Sequence, residues 1–144
     1  MPEVEIRIAN RLDELEKVVR AVDAFAAAHD IPAGVLNRLN LVLDEVLNNI
    51  VSYGYPDGAP GEIRLRLDRD PAAVRAEIED DGIPFAWPPP GPLDRSVPAR
   101  ERAVGGAGLR FIHGLMDAVA YERIANRNRL RLTKRIPPGP LAES

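Results

Sequence analysis

Asp44, Glu45, Asn48 and Asn49 place two carboxylates and two amides within one short stretch, LNLVLDEVLNNIVSYGY. Glu45 and Asn49 are four residues apart, so on a helix they stack on one face, one turn from each other. A carboxylate beside an amide on a rigid helix can position a water, a hydroxyl or a magnesium ion. A second candidate is Asp80-Asp81-Gly82, which closes an alternating run. There the Asp80 carboxylate can accept a hydrogen bond from an exocyclic amine, and Gly82 lets a flat ligand approach the backbone. The third is Gly105-Gly106-Ala107-Gly108-Leu109. Closely spaced glycines opening a helix leave free amide donors and the positive end of its dipole, which suits phosphate. Taken singly, each has a plainer reading: a solvated helix face, an Asp-Gly hairpin turn, a flexible hinge.

The elements that must position these residues follow from periodicity. Leu36, Leu39, Leu43, Val46, Leu47 and Ile50 form one apolar helical stripe, which ends in the turn signal Gly54-Tyr55-Pro56-Asp57-Gly58. Residues 3–9 alternate as a half-buried strand. Asn10 stands where it would cap a helix running to about His29, and Asp30-Ile31-Pro32 breaks that helix. Residues 62–67 and 73–78 alternate strictly and read as a hairpin turning at 68–71. A long proline-rich loop then runs to the glycine cluster. Leu109, Ile112, Leu115 and Met116 mark a helix ended by Asp117, and residues 118–123 and 129–134 form a last hairpin turning near Asn126-Arg127-Asn128.

Alternating strands make a sheet with one covered and one wet face. Three helices are available to cover it, so the expected fold is α/β of the α+β type. It is a two-layer α/β sandwich with a mixed, mainly antiparallel sheet and helices on one face, and this excludes a doubly wound sheet. The 144 residues suit one domain, expected over 1–136, with a disordered tail at 137–144. A net charge of −3 gives no reason to expect direct nucleic-acid binding. The absence of cysteine excludes disulfides, thiolate metal sites and a cysteine nucleophile, and suits the cytoplasm. No apolar run reaches membrane-span length, and residues 1–10 lack a signal-peptide pattern.

In this order the three stretches resemble the boxes of the GHKL ATPase superfamily, which gyrase, MutL, heat-shock chaperones and histidine kinases share. Glu45 and Asn49 match the N box; Asp80 and Gly82 match the first glycine box, Asp-x-Gly-x-Gly. Gly106, Gly108 and Leu109 match the second, Gly-x-Gly-Leu, and the resemblance covers roughly residues 3–135. The whole chain looks most like the stand-alone anti-sigma-factor serine kinases.

That resemblance implies a Bergerat-type ATP-binding fold using ATP and Mg²⁺. Asp80 would bind the adenine amino group, Asn49 would hold Mg²⁺, and the amides around Gly106 to Leu109 would cradle phosphates. Residues 86–104 would form an ATP lid, from which Arg100 or Arg102 can reach the γ-phosphate. Glu45 would be the general base. Pro84 departs from the pattern: it stands at the box's second glycine and removes an amide donor. Asn48, beside Asn49, leaves a one-residue ambiguity about the metal ligand, which the family spacing resolves towards Asn49. Asp44 and Asp81 read as solvated neighbours. His29 reads as a surface or capping residue, His113 as structural and Trp87 as a lid anchor. Tyr53 and Tyr55 can line the pocket or simply pack.

The expected function is therefore an ATP-dependent serine/threonine protein kinase of the anti-sigma-factor type. It would sequester a sigma factor and phosphorylate a serine on an anti-anti-sigma (STAS-type) partner. Arg64, Arg66, Arg75 and Arg131 on the wet sheet face are read as solvation, though such a face can also support a homodimer. The rival readings are a nucleotide-gated adaptor without phosphotransfer, a detached histidine-kinase catalytic domain and a bare structural domain.

Overall fold

A computed structural model describes residues 4–84 and 112–137 of the chain. Its elements run β1 (Val4–Ala9), α1 (Leu15–Ala28), α2 (Ala33–Tyr53), β2 (Glu62–Arg69), β3 (Ala73–Asp80), α3 (Ile112–Leu115), β4 (Ala118–Ile124) and β5 (Arg127–Arg135). The strands form one sheet in the order β1-β2-β3-β5-β4. Every pairing among the described residues is antiparallel. The expected two-layer α+β sandwich is the observed fold, with the sheet antiparallel instead of mixed.

Alternation explains the layering. Ile63, Leu65 and Leu67 on β2, Val74, Ala76 and Ile78 on β3, and Leu130 and Leu132 on β5 are all buried. They meet Leu39, Val42, Leu43, Val46, Leu47 and Ile50 of α2 and Val18, Val22 and Phe25 of α1 in one core. With α2 fixed along this stripe, Asn49 falls on the buried side at 5% exposure, while Asp44 stays outside.

The register sets what lies at the end of the sheet. Asp80 is opposite Ile63 on one side and Asn128 on the other, and Asn128 is opposite Arg123. Side chains alternate between faces, so Asp80 continues the helix-facing series Val74, Ala76, Ile78, and Asn128 the series Leu132, Leu130. Arg123, Asn128 and Asp80 thus form a polar row across β4, β5 and β3 on the covered face.

The opposite face is not simply solvated. Glu79 pairs with Arg64, and with Arg129 at 3.2 Å. Glu77 pairs with Arg66 at 3.2 Å and with Arg131 at 3.1 Å. Arg75 pairs with Asp68 opposite it at 3.7 Å and with Asp70 of the turn at 2.7 Å. The outward arginines are therefore laced into cross-strand ion pairs that only the register reveals.

Local expectations also change. Asn10 does not cap a helix: Arg11 occupies the cap position of a short 3-10 turn, Leu12–Glu14, without a side-chain bond. Asn10 instead donates to Ala59 O at 2.9 Å and accepts from the Gly61 amide at 2.9 Å, fastening the end of β1 to the approach to β2. His29 is the C-cap of α1, its ring 4.8 Å from that of Phe25. The last hairpin turns at Ala125-Asn126, both with positive φ, two residues earlier than Asn128, which belongs to β5. No helix among the described residues is long and apolar enough to cross a membrane.

Candidate nucleotide site

The N-box stretch is positioned by α2. Asn49 Nδ2 lies 3.3 Å from both the backbone oxygen and the Oε2 of Glu45, so the two side chains meet as their spacing requires. Asn49 Oδ1 is buried and has no hydrogen-bond partner. A buried amide oxygen without a donor is costly and calls for an explanation. One residue back, Asn48 and Asp44 make a matching pair, with Asn48 Nδ2 3.1 Å from Asp44 Oδ1. That pair faces outward, Asp44 exposed and Asn48 only partly buried.

Asp80 sits at 2% exposure at the end of β3. Its Oδ1 accepts two hydrogen bonds, from the Gly82 amide at 2.8 Å and from Asn128 Nδ2 at 2.9 Å. Burial pushes the Asp80 carboxyl up, and these two bonds offset only part of that cost. A small cavity adjoins it, about 10 Å³, lined by Val46, Ile50, Ile78, Asp80, Tyr121, Asn128 and Leu130. Val46 and Ile50 belong to the apolar stripe of α2, so the cavity lies between that helix and the end of β3.

Gly82 is required by packing. A Cβ there would lie 2.4 Å from the Gly54 carbonyl oxygen. The place of the missing side chain is taken by the turn that ends α2. The Ile83 amide donates to the same oxygen at 2.9 Å, so the end of α2 and the turn after Asp80 are stitched together.

Tyr55 and Asp81 complete the stitching. The Tyr55 hydroxyl donates to Asp81 Oδ1 at 2.7 Å, and the Glu62 amide donates to the same oxygen at 3.3 Å. Burial, then the bond to Asp81, drives the Tyr55 phenol far up. Partial burial raises the Asp81 carboxyl, but the Tyr55 and Glu62 donors outweigh it and hold it below the usual range. Asp81 is therefore a latch and not a merely solvated neighbour, and Tyr55 packs, whereas Tyr53 is 58% exposed. Pro84 is exposed at the end of the described turn.

Sequence reasoning missed Asn128 and Arg123. Asn128 Nδ2 also donates to Ile83 O at 2.8 Å, while its Oδ1 accepts from the Tyr121 hydroxyl and from Arg123 Nη1 at 3.1 Å. A signal was available: both residues stand in the core-facing phase of their strands, where a polar side chain needs a reason. Gly106, Gly108, Leu109, Arg100, Arg102, Trp87 and the whole stretch 86–104 lie outside the described residues, as do 138–144 of the tail.

An antiparallel five-stranded sheet covered by helices on one face is the fold of the GHKL ATPase class. A family model described as the histidine kinase-like ATPase domain matches residues 8–134, and the chain belongs to that family. It is similar to the serine/threonine-protein kinase BtrW of Bordetella bronchiseptica, with 38% identity over 104 residues, covering 69% of this chain and 70% of that protein. Among solved structures, the RsbU and RsbW domains of Rv1364c from Mycobacterium tuberculosis superpose with a TM-score of 0.67 at 16% identity. That match covers 94% of this chain and 32% of the other, so the chain spans about a third of that protein's length. The mycobacterial sensor histidine kinase MprB matches with a TM-score of 0.50 and 19% identity, over 93% of this chain and 100% of that one. At such identities these two matches speak for the fold alone.

Proposed function

We propose that this chain is an ATP-dependent serine/threonine protein kinase of the anti-sigma-factor type. It transfers the γ-phosphoryl group of ATP to a serine of an anti-anti-sigma partner and holds a sigma factor. Membership of the kinase-like ATPase family and the likeness to a serine/threonine-protein kinase support the reading. The observation that carries it is the Glu45–Asn49 pair with its unpartnered Asn49 Oδ1.

A hard oxygen donor is what Mg²⁺ takes, and the donor set here fits that ion. Among the described residues no cluster of three or more His, Asp or Glu could hold a metal alone. Asn49, through its unpartnered Oδ1, would hold such an ion. When bound, it neutralises charge on the phosphates. Glu45, one turn away, takes the proton of the incoming serine hydroxyl. Asp80 accepts from the exocyclic amine of adenine through a carboxylate already oriented by Gly82 and Asn128. Gly106, Gly108 and Leu109 bind phosphate in this reading, and Arg100 or Arg102 contacts the γ-phosphate.

The test is incubation with γ-labelled ATP and candidate regulatory proteins encoded nearby, followed by mapping of the labelled residue. A labelled serine on a bound partner is expected. ATP-dependent partner binding without transfer would replace the kinase with a nucleotide-gated adaptor.

A further inference from the structure

Four hydrogen bonds close a ring at the end of the sheet. Arg123 Nη1 donates to Gly82 O at 2.8 Å and to Asn128 Oδ1 at 3.1 Å. Asn128 Nδ2 donates to Asp80 Oδ1 at 2.9 Å, and Gly82 N donates to that same oxygen at 2.8 Å. The ring thus runs from Arg123 on β4 through Asn128 on β5 to Asp80 on β3, and back through the turn.

A guanidinium only donates, and an ionised carboxylate only accepts. Asn128 lies between the two, so only one orientation of its amide is favourable: oxygen towards Arg123, nitrogen towards Asp80. The reversed amide would set NH₂ against a cation and C=O against a carboxylate. The Ile83 carbonyl, which only accepts, is bonded to Asn128 Nδ2 at 2.8 Å and favours the same orientation. Both donors reaching Asp80 then fall on Oδ1, and Oδ2 receives neither of them. Arg123 therefore acts on Asp80 through an intermediary, and on the glycine turn directly through Gly82 O.

We propose that Arg123 is a positioning residue for base selectivity. By fixing the Asn128 amide and the Gly82 carbonyl, it presents Asp80 Oδ2 as a pure acceptor and makes the site choose a purine with an exocyclic amine over one with a carbonyl there. This rests on the reading of Asp80 as the group that meets the base. A site committed to one hydrogen-bond pattern rejects the analogue that leaves its buried groups unpaired.

The test compares ATP with inosine triphosphate, which carries a carbonyl in place of the amine, by calorimetry on the full chain. In Arg123→Met, which keeps an unbranched apolar stem and loses the donors, the preference for ATP over inosine triphosphate should fall about tenfold. Arg123→Lys, which returns a cationic donor, should recover most of that preference. A purely structural role would weaken both nucleotides alike and leave the ratio unchanged, and that result in a folded Arg123→Met overturns the proposal. A measurement on the parent stands apart from any folding defect: the Asn128 side-chain amide protons should exchange slowly with solvent, and fast exchange overturns the locked orientation. If the parent binds neither nucleotide, the reading of Asp80 falls and takes this inference with it. If the parent discriminates and Arg123→Met discriminates equally, only the role of Arg123 falls.

Discussion

The two faces of the sheet use the same strands and the same register for opposite ends. On the outer face, Arg64, Glu79, Arg129 and Glu122 follow one another across β2, β3, β5 and β4, so each charge meets an opposite one. Glu5, Arg66, Glu77 and Arg131 repeat the pattern one row further along. In the second row the pairs are partly open to water and each contributes little. In the first, Glu79 is buried at 7% exposure and the Nε atoms of Arg64 and Arg129 are left without a hydrogen-bond partner, so part of that row is desolvated. On the covered face, Arg123, Asn128 and Asp80 occupy an equivalent row under a helix that brings Glu45 and Asn49. There the helices withhold water, and every polar group is satisfied by design or left at a cost. Charge on the outer face is abundant and meets its opposite across the strands; polarity on the inner face is sparse and sits among apolar neighbours. Retained polarity of the second kind points to function.

The sharpest way to test that contrast is Glu45→Ala. If the inner set is the reaction site, phosphotransfer to the partner should fall by about 10²–10⁴-fold, the range for loss of a general base. Nucleotide affinity should stay near the parent's, because other groups hold the base and phosphates. Rapid-quench transfer assays beside calorimetry separate the two effects. Unchanged transfer would move the base off α2.

Asp80→Asn should have the next largest effect and act in two directions. It converts half of the acceptor into a donor, so ATP binding should weaken by about 2 kcal/mol or more. The apo protein should become more stable at neutral pH, by about 0.5–1 kcal/mol, because a buried charge disappears while an acceptor for Gly82 and Asn128 remains. The sign of the pH dependence follows from the raised carboxyl. Burial lifts Asp80 above its unfolded value of 3.8, so the folded state holds the proton longer. Its contribution is complete below that value and is lost as pH rises from there through the folded pKa. Thermal melts across the acid range should show the stability difference between Asp80→Asn and the parent growing over that window. A parent less stable than Asp80→Asn by the same margin at every pH would contradict a raised Asp80.

The two acid–amide pairs on α2 allow a finer cut, since they differ chiefly in burial. Asn49→Ala removes the orphaned oxygen and should cost about tenfold in the Mg²⁺-dependent part of ATP affinity, with little loss of helix stability. Asn48→Ala, on the outward pair, should change neither. Titrations of ATP with and without Mg²⁺ decide it, and the opposite assignment would shift the metal-facing position by one residue.

Much of this arrangement was legible from local pattern. The alternation of β2 and β3 places their apolar faces within two residues of the observed ends, and the four-residue spacing of Glu45 and Asn49 already implies contact. For Asn128 and Arg123 the core-facing phase was the only signal, and their joining with Asp80 could not be read, because they lie more than forty residues from it and meet it only through the β3–β5–β4 register. Asn10 looked like a helix cap for the same reason: its partners at 59 and 61 come from another strand's approach. The outer arginines looked like solvation because a sequence shows charge but not the partner opposite it.

The smallest effect should come from that outer face. Arg66 and Glu77 lie directly opposite, 3.2 Å apart, with Arg66 35% exposed at the side chain. A double-mutant cycle with Arg66→Ala and Glu77→Ala should give a coupling of about 0.2–1 kcal/mol at low salt. The Arg66 end of the pair is open to solvent while Glu77 is 18% exposed at the side chain, so adding salt to about 1 M should weaken the coupling without abolishing it. ATP affinity should be unchanged in both single variants and in the double, since these side chains point away from Asp80 and α2. A coupling well above 1 kcal/mol would show that the ladder holds the sheet together as strongly as a buried network. A change in ATP affinity would show more: the two faces would be linked through β3, where Glu77 lies three residues before Asp80, and the separation of a solvated face from a working one would fail.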